Sequence, residues 1–175
     1  MLISKIISGG QTGVDRGAIE AALELGFPYG GLIPKGRLAE DGAVPEKFDK
    51  MEVAPRKDYL FRTQWNVVHS DATLLIARKV FKDGEWREEL TGGTERTHQF
   101  CLVHARPHYA IFTQDVEGVM AWLRKVADGL KHEDLVLNVA GPRESKCPGI
   151  QESTRTFVTR LIERLKQDAT EKQRD

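Results

Sequence analysis

Short apolar runs alternate with longer segments of helical period along this chain, the pattern of parallel βαβ units and so of an α/β fold. Leu2 to Ile7 reads as a strand that runs into Ser-Gly-Gly-Gln-Thr-Gly at 8–13. Val14, Ala18, Ala22 and Leu25 then recur at near-helical spacing until Gly26 and Pro28 stop the pattern. Gly30 to Ile33 is expected as a second strand, followed by a polar loop without periodicity to Pro45. From Asp58 to His69, Phe61, Trp65 and Val68 share a helical face expected to meet the core, with Asp58 placed as its N-cap. Ala72 to Ala77 reads as a continuous apolar run of strand length, which suits a strand covered on both faces at the sheet centre.

The charged stretch that follows, with Asp83-Gly84 between two short runs, predicts a small surface hairpin near 78–90. Thr91-Gly92-Gly93-Thr94 opens a helix ending near Arg106-Pro107, and Tyr109 to Phe112 is a strand. Asp115 caps a helix carrying Val116, Val119, Leu123, Val126 and Leu130, and Leu135 to Val139 is the last strand. The loop at 140–149 leads into a helix with Ile150, Phe157, Leu161 and Leu165. One domain over residues 1–166 and a polar, frayed tail at 167–175 are expected.

Composition narrows the function classes. The 175 residues carry 26 Lys+Arg against 26 Asp+Glu, a formal charge of +0. That balance argues against a protein that binds by neutralising many phosphates of a nucleic acid, or by resting on an anionic membrane. Two cysteines make no disulfide framework, and the start Met-Leu-Ile-Ser-Lys lacks the flanks of a signal peptide, so a cytoplasmic location is expected.

The main chemical signal is repetition. At 8–13, 91–94 and 140–149 an apolar strand is expected to run straight, or nearly so, into a small, glycine-bearing loop and then a helix. The first turn of a helix offers unpaired N–H groups and a positive dipole end, and glycine lets an anion approach the backbone. In an open parallel sheet such loops share the carboxyl edge and converge on one crevice. Gly9, Gly10, Gln11, Thr12 and Gly13 of the first loop, Thr91, Gly92, Gly93 and Thr94 of the second, and Gly141, Arg143, Ser145 and Lys146 of the third are therefore candidates for binding a phosphate or similar oxyanion. Neither the three-glycine dinucleotide fingerprint nor a Walker lysine is present. Arg62 and Asn66, four apart, share a helix face that looks toward the crevice or into solvent, and Asp15 either favours the helix dipole or touches the ligand.

Ser8-Gly-Gly-Gln-Thr-Gly-Val-Asp-Arg-Gly17, Pro34-Lys-Gly-Arg37 with Ala39-Glu-Asp-Gly42, Arg62-Thr63 with Asn66-Val67, Thr91-Gly-Gly-Thr94 and Asn138-Val-Ala-Gly-Pro-Arg143 cover nearly the whole chain in order. Together they resemble the molybdenum carrier family, a branch of the Rossmann-like superfamily that includes the lonely-guy-type phosphoribohydrolases and DNA-processing protein A. The resemblance implies a three-layer α/β/α fold with a mostly parallel sheet, and a non-catalytic carrier of molybdenum cofactor, a phosphorylated pterin, in a homo-oligomer. It also implies ligand roles for Arg16, Lys35 and Arg37.

Two departures bear on chemistry. Glu144 puts a carboxylate inside an anion loop, so it must point away or the ligand is less anionic. Glu95 falls too early after Gly93 to match the glutamate with which the phosphoribohydrolases break an N-glycosidic bond, so hydrolysis of that type is not expected, although Asp15, Asp41 or Asp71 could act as a base if a substrate pose brought it within hydrogen-bond reach. His98, Cys101, His104 and His108 drift around one helix and its exit, and no metal site is expected there.

Overall fold

A computed structural model describes residues 1–171. Five parallel strands form the central sheet in the order β10-β7-β11-β1-β2. They are β1 (Ile3–Ile7), β2 (Tyr29–Gly30), β7 (Ala72–Ile76), β10 (His108–Ile111) and β11 (Leu135–Ala140). Helices α1 (Val14–Glu24), α4 (Val116–Leu130) and α5 (Ile150–Glu171) pack on one another, as do α2 (Tyr59–Val68) and α3 (Gly92–Val103), and the two groups flank the sheet as a Rossmann-like three-layer fold. Apolar side chains from sheet and helices, Leu74, Leu123, Phe157 and Leu161 among them, fill the space between the layers and are fully buried.

The interior of the sheet explains its sequence. β7 is buried along its whole length, between β10 and β11, so it carries no polar face. It lies one place in from the edge, and β11 holds the middle. The Asp58 carboxylate accepts from Leu60 N (2.8 Å) and that of Asp115 from Gly118 N (2.9 Å), so both predicted caps form. The hairpin is β8 (Val80–Lys82) and β9 (Glu85–Arg87), turned at Asp83 and Gly84, both with positive φ.

Four expectations change. The second strand is split at Gly31: β2 stays in the central sheet, while β3 (Leu32–Ile33) pairs with β6 (Glu52–Val53) in a separate ribbon. Gly31 has φ 118°, and a Cβ there would meet Ser8 O at 2.1 Å, so the chain passes β1 too closely for any side chain. The loop after it carries a short hairpin, β4 (Leu38–Ala39) and β5 (Gly42–Ala43). On α2 the buried positions are Asn66 and Val67, whereas Phe61, Trp65 and Val68 are only partly covered. Trp65 stacks on His69 with ring centroids 3.9 Å apart. At the C-terminus, α5 continues past 166 to Glu171, and Asp168 anchors it through Arg124 (2.6 Å); the rest of the predicted tail, 172–175, lies outside the described residues. No described helix is long and apolar enough to cross a membrane.

Candidate functional site

β1, β11 and β7 lie side by side, so the segments that leave their carboxyl ends are neighbours in space. A cavity of about 530 Å³ opens there. Gln11 and Asp15 line it from the start of α1, Arg62 and Thr63 from α2, Thr91, Gly92, Gly93 and Thr97 from α3, and Ala140, Gly141, Pro142, Arg143 and Lys146 from the loop after β11. A hollow of about 580 Å³ lies at the other end of the sheet, among Leu2, Arg124 and His132. The helix end that borders it is the C-terminus of α4, which offers carbonyls rather than N–H donors, so the anion argument applies only to the first cavity.

The three helix starts differ in whether the chain satisfies its own donors. At α1, Thr12 N donates to Gln11 Oε1 (3.1 Å), Gly13 N to Gln151 Oε1 (3.2 Å) and Val14 N to Pro142 O (3.1 Å). At α5, the Glu144 carboxylate turns back and accepts from Gly149 N and Gln151 N (2.9 Å), which is how a glutamate fits within this loop. At α3, by contrast, the cap residue Thr91 makes no side-chain cap bond, and the Gly92 and Gly93 amides have no acceptor among the described residues. A Cβ added at Gly93 would meet nothing within 4 Å. These two donors therefore open onto the cavity that they line.

A second acidic residue reaches across the molecule. Glu40, beyond β4, accepts from the Thr12 hydroxyl, from Ser145 N (3.1 Å) and from the Ser145 hydroxyl, with Arg143 at 3.7 Å. Burial opposes ionisation of Glu40, but the Ser145 and Thr12 hydrogen bonds and the Arg143 charge outweigh it and hold its pKa below the ordinary value. Glu40 N also donates to Gln11 Oε1 (2.8 Å). That bond fixes the Gln11 amide, whose Nε2 is buried without a partner beside the cavity.

Asp15 is the buried acid of the cavity itself. Its Oδ2 accepts from Arg62 Nη1 (3.1 Å) and from Gln11 N (3.4 Å). Desolvation raises its pKa above the usual carboxylate value, against the lowering effects of the Arg62 charge and the bonds from Gln11 N and Arg62. Arg62 in turn lies against the backbone of Gly9, where a Cβ would meet Nη1 at 1.6 Å, and its Nε is a further buried donor without a partner.

The sequence candidates thus divide. Gln11, Asp15, Arg62, Thr91, Gly92, Gly93, Gly141, Arg143 and Lys146 line the cavity. Gly9 seats Arg62, Gly10 packs against Ile33 and Val44, and Gly13 touches the Pro142–Glu144 backbone. Thr12 and Ser145 are engaged by Glu40. The Arg16 guanidinium is held by Asp41, away from the cavity. Lys35 is exposed, and Arg37 is spent on the Val44, Pro45 and Phe48 carbonyls, where it ties the loop down. Asn66 clamps both backbone groups of Leu32, at 2.8 and 3.1 Å. Thr94 is buried with its hydroxyl unpartnered. Asp71 sits at the opposite edge of the sheet and accepts from Val136 N (2.8 Å).

Thr63, quoted only as part of the Arg62-Thr63 motif, and Thr97 also line the cavity; Thr97 stands four residues after Gly93, a helical spacing that could have found it. Glu40 lies in a loop without period, and the Ala39-Glu-Asp-Gly42 motif that contains it was its one signal. Among the described residues no group of three or more His, Cys, Asp or Glu could hold a metal ion, and His104 instead meets Gln64 Nε2 at 2.9 Å.

Residues 6–162 match the circularly permutated YpsA SLOG family. A solved structure from Syntrophus aciditrophicus SB, named "Putative molybdenum carrier protein", is 37% identical, with a TM-score of 0.75 over 91% of this chain and 94% of that one. No curated protein matches the chain. The family model spans the chain from its first strand to the helix that follows the last glycine loop, and the solved relative covers nine-tenths of it: the chain belongs to the circularly permuted YpsA branch of the SLOG family.

Proposed function

We propose that this protein is a carrier that holds a phosphorylated pterin or nucleotide-like ligand at the carboxyl edge of its sheet and makes or breaks no bond in it. The observation that carries the reading is the open start of α3: two amides without acceptors line a cavity that also presents Arg62, Arg143 and Lys146. A volume of about 530 Å³ lies within the usual range for small-molecule sites. The name of the solved relative supports molybdenum cofactor as the ligand. The cavity suits the organic part of that group: the amides of Gly92 and Gly93 with Arg143 and Lys146 would take its phosphate. When bound, the group would supply the molybdenum chemistry that the carrier delivers. The chain's own work is to bind and shelter it.

The test is to purify the protein natively and examine it by mass spectrometry and metal analysis, and to titrate it with phosphorylated pterins and nucleoside monophosphates. Retention or uptake of one of these, weakened at least about tenfold by Gly93→Val while the fold persists, is the expected result. Failure to take up any of them overturns the reading.

A second reading, a nucleotide-processing hydrolase, is favoured by one feature: Asp15 is a cavity carboxylate with a raised pKa, the setting of a general base. Free base released from a nucleoside monophosphate, and abolished by Asp15→Ala, is the result that would select it.

A further inference from the structure

A site for phosphate alone has no use for a buried carboxylate, yet Asp15 faces the same cavity as the α3 amides. Its hydrogen-bonding capacity is not exhausted. Both of its bonds, from Arg62 and from Gln11 N, fall on Oδ2. The Ser8 hydroxyl near it spends its single hydrogen on Val139 O (2.6 Å). An ionised carboxylate offers about four acceptor positions, so about two remain. Incoming N–H donors would relieve the desolvation that raises its pKa, whereas a phosphate oxygen there would be repelled.

The topology sets the separation of the two chemistries. Asp15 follows β1 and the α3 amides follow β7, with β11 between those strands, so they lie about two inter-strand spacings apart, roughly 10 Å. The cavity therefore presents its one carboxylate at the β1 side, beside the Gln11 and Arg62 side chains, and the α3 amides at the β7 side. Its ligand must present hydrogens at one end and an anion at the other.

Resting on the reading above, we infer that Asp15 recognises a ring edge bearing two adjacent N–H donors, the 2-amino-4-oxo-pyrimidine edge shared by guanine nucleotides and pterins, while the phosphate lies at the start of α3. Oδ1 carries neither the Arg62 nor the Gln11 bond, and the Gln11 contact on Oδ2 is long at 3.4 Å, so a ring edge can give one N–H to Oδ1 and the other to Oδ2 in place of that contact, the paired arrangement that binds a carboxylate most strongly. Hypoxanthine lacks the amino group, xanthine carries a carbonyl in its place, and adenine sets its amino group beside a ring acceptor.

Calorimetric titration with GMP, IMP, XMP, AMP and 6-hydroxymethylpterin monophosphate, on the full chain and on Asp15→Asn, tests this. The wild-type chain is expected to bind GMP and the pterin ester at least about tenfold more tightly than IMP, XMP or AMP, a comparison that needs no variant. Asp15→Asn is expected to lose that preference and to gain XMP binding relative to GMP, because its side-chain amide can donate to the 2-oxo group. Equal wild-type affinity for the five compounds, or a variant that weakens all of them alike, overturns the inference and leaves the cavity reading standing. If the wild-type chain binds none of the five and no inorganic phosphate, the cavity reading falls and takes this inference with it.

Discussion

Helices α3 and α5 both begin in loops that combine glycine with hydroxyl side chains, yet one start is open and the other is closed by the chain itself. At α5 the carboxylate of Glu144 takes the Gly149 and Gln151 amides, and at the same loop Glu40 takes Ser145. At α3 no carboxylate takes the Gly92 and Gly93 amides, which have no acceptor among the described residues. The lesson is that a glycine loop before a helix is only a supply of donors. Whether it is a binding site depends on whether an internal acid arrives first.

The glycines give the sharpest way to break this comparison. At Gly141 a Cβ would meet Ile76 O at 2.3 Å and Val14 Cγ2 at 2.5 Å, whereas at Gly93 it would meet nothing. Gly141→Ala is expected to cost about 3 kcal/mol in urea denaturation, because backbone cannot yield. Gly93→Ala is expected to leave stability unchanged or raise it by up to about 1 kcal/mol. Equal losses would mean that the α3 start is not open.

Next in size is the cap. Glu144→Ala strands two amides at the start of α5 and should cost about 1–2 kcal/mol, read as a lower denaturation midpoint. The converse substitution, Thr91→Asp, gives α3 the acid that it lacks. It should raise stability by about 1 kcal/mol and weaken binding of inorganic phosphate or a nucleoside monophosphate, making α3 resemble α5.

The smallest expected effect separates Glu40 from Asp15 by the sign of their pH dependence. The folded pKa of Glu40 is held below the ordinary value of 4.5, so its stabilisation is complete above that value and is lost as pH falls through the lowered one. Glu40→Gln should therefore flatten the acid limb of a stability profile. Asp15 has the opposite sign: its pKa is raised from 3.8, so its contribution is present below that value and is lost as pH rises through the raised one. Asp15→Asn should remove that decline. Denaturation series between about pH 3 and pH 7 would show the two slopes, and slopes of the same sign would contradict the assignment.

Much of the fold was legible because its signals are local. The caps at Asp58 and Asp115, the turn at Asp83-Gly84 and the wholly buried β7 each depend on residues within a few positions of one another. Errors came where a distant contact overrode the local pattern. Helical periodicity assigned α2 a face through Phe61 and Trp65, but Asn66 is buried because it pairs with the Leu32 backbone, 34 residues away. The end of α5 looked like a frayed polar tail, because nothing near Asp168 in sequence announces Arg124.

The candidate site was legible to the same degree. Motif order indicated the family, and the family match and solved relative bear that out. Loop composition indicated three sets of donors, and the strand order brings residues of all three to one cavity. It did not indicate that Arg16 belongs to Asp41, Arg37 to three carbonyls, or Thr12 to Glu40, since a cation or hydroxyl looks the same in sequence whether or not it has a partner.

From the chain alone, then, come the main strands and helices, the caps at Asp58 and Asp115, the turn at Asp83-Gly84, and the glycine loops ahead of α1, α3 and α5. These follow from backbone geometry and short-range hydrogen bonding. Only the tertiary structure decided which donors remain for a ligand. That choice depends on acceptors such as Glu40, which meets Ser145 across 105 residues of sequence, and a hydrogen bond forms with whatever lies within about 3 Å in space, however far away it lies along the chain.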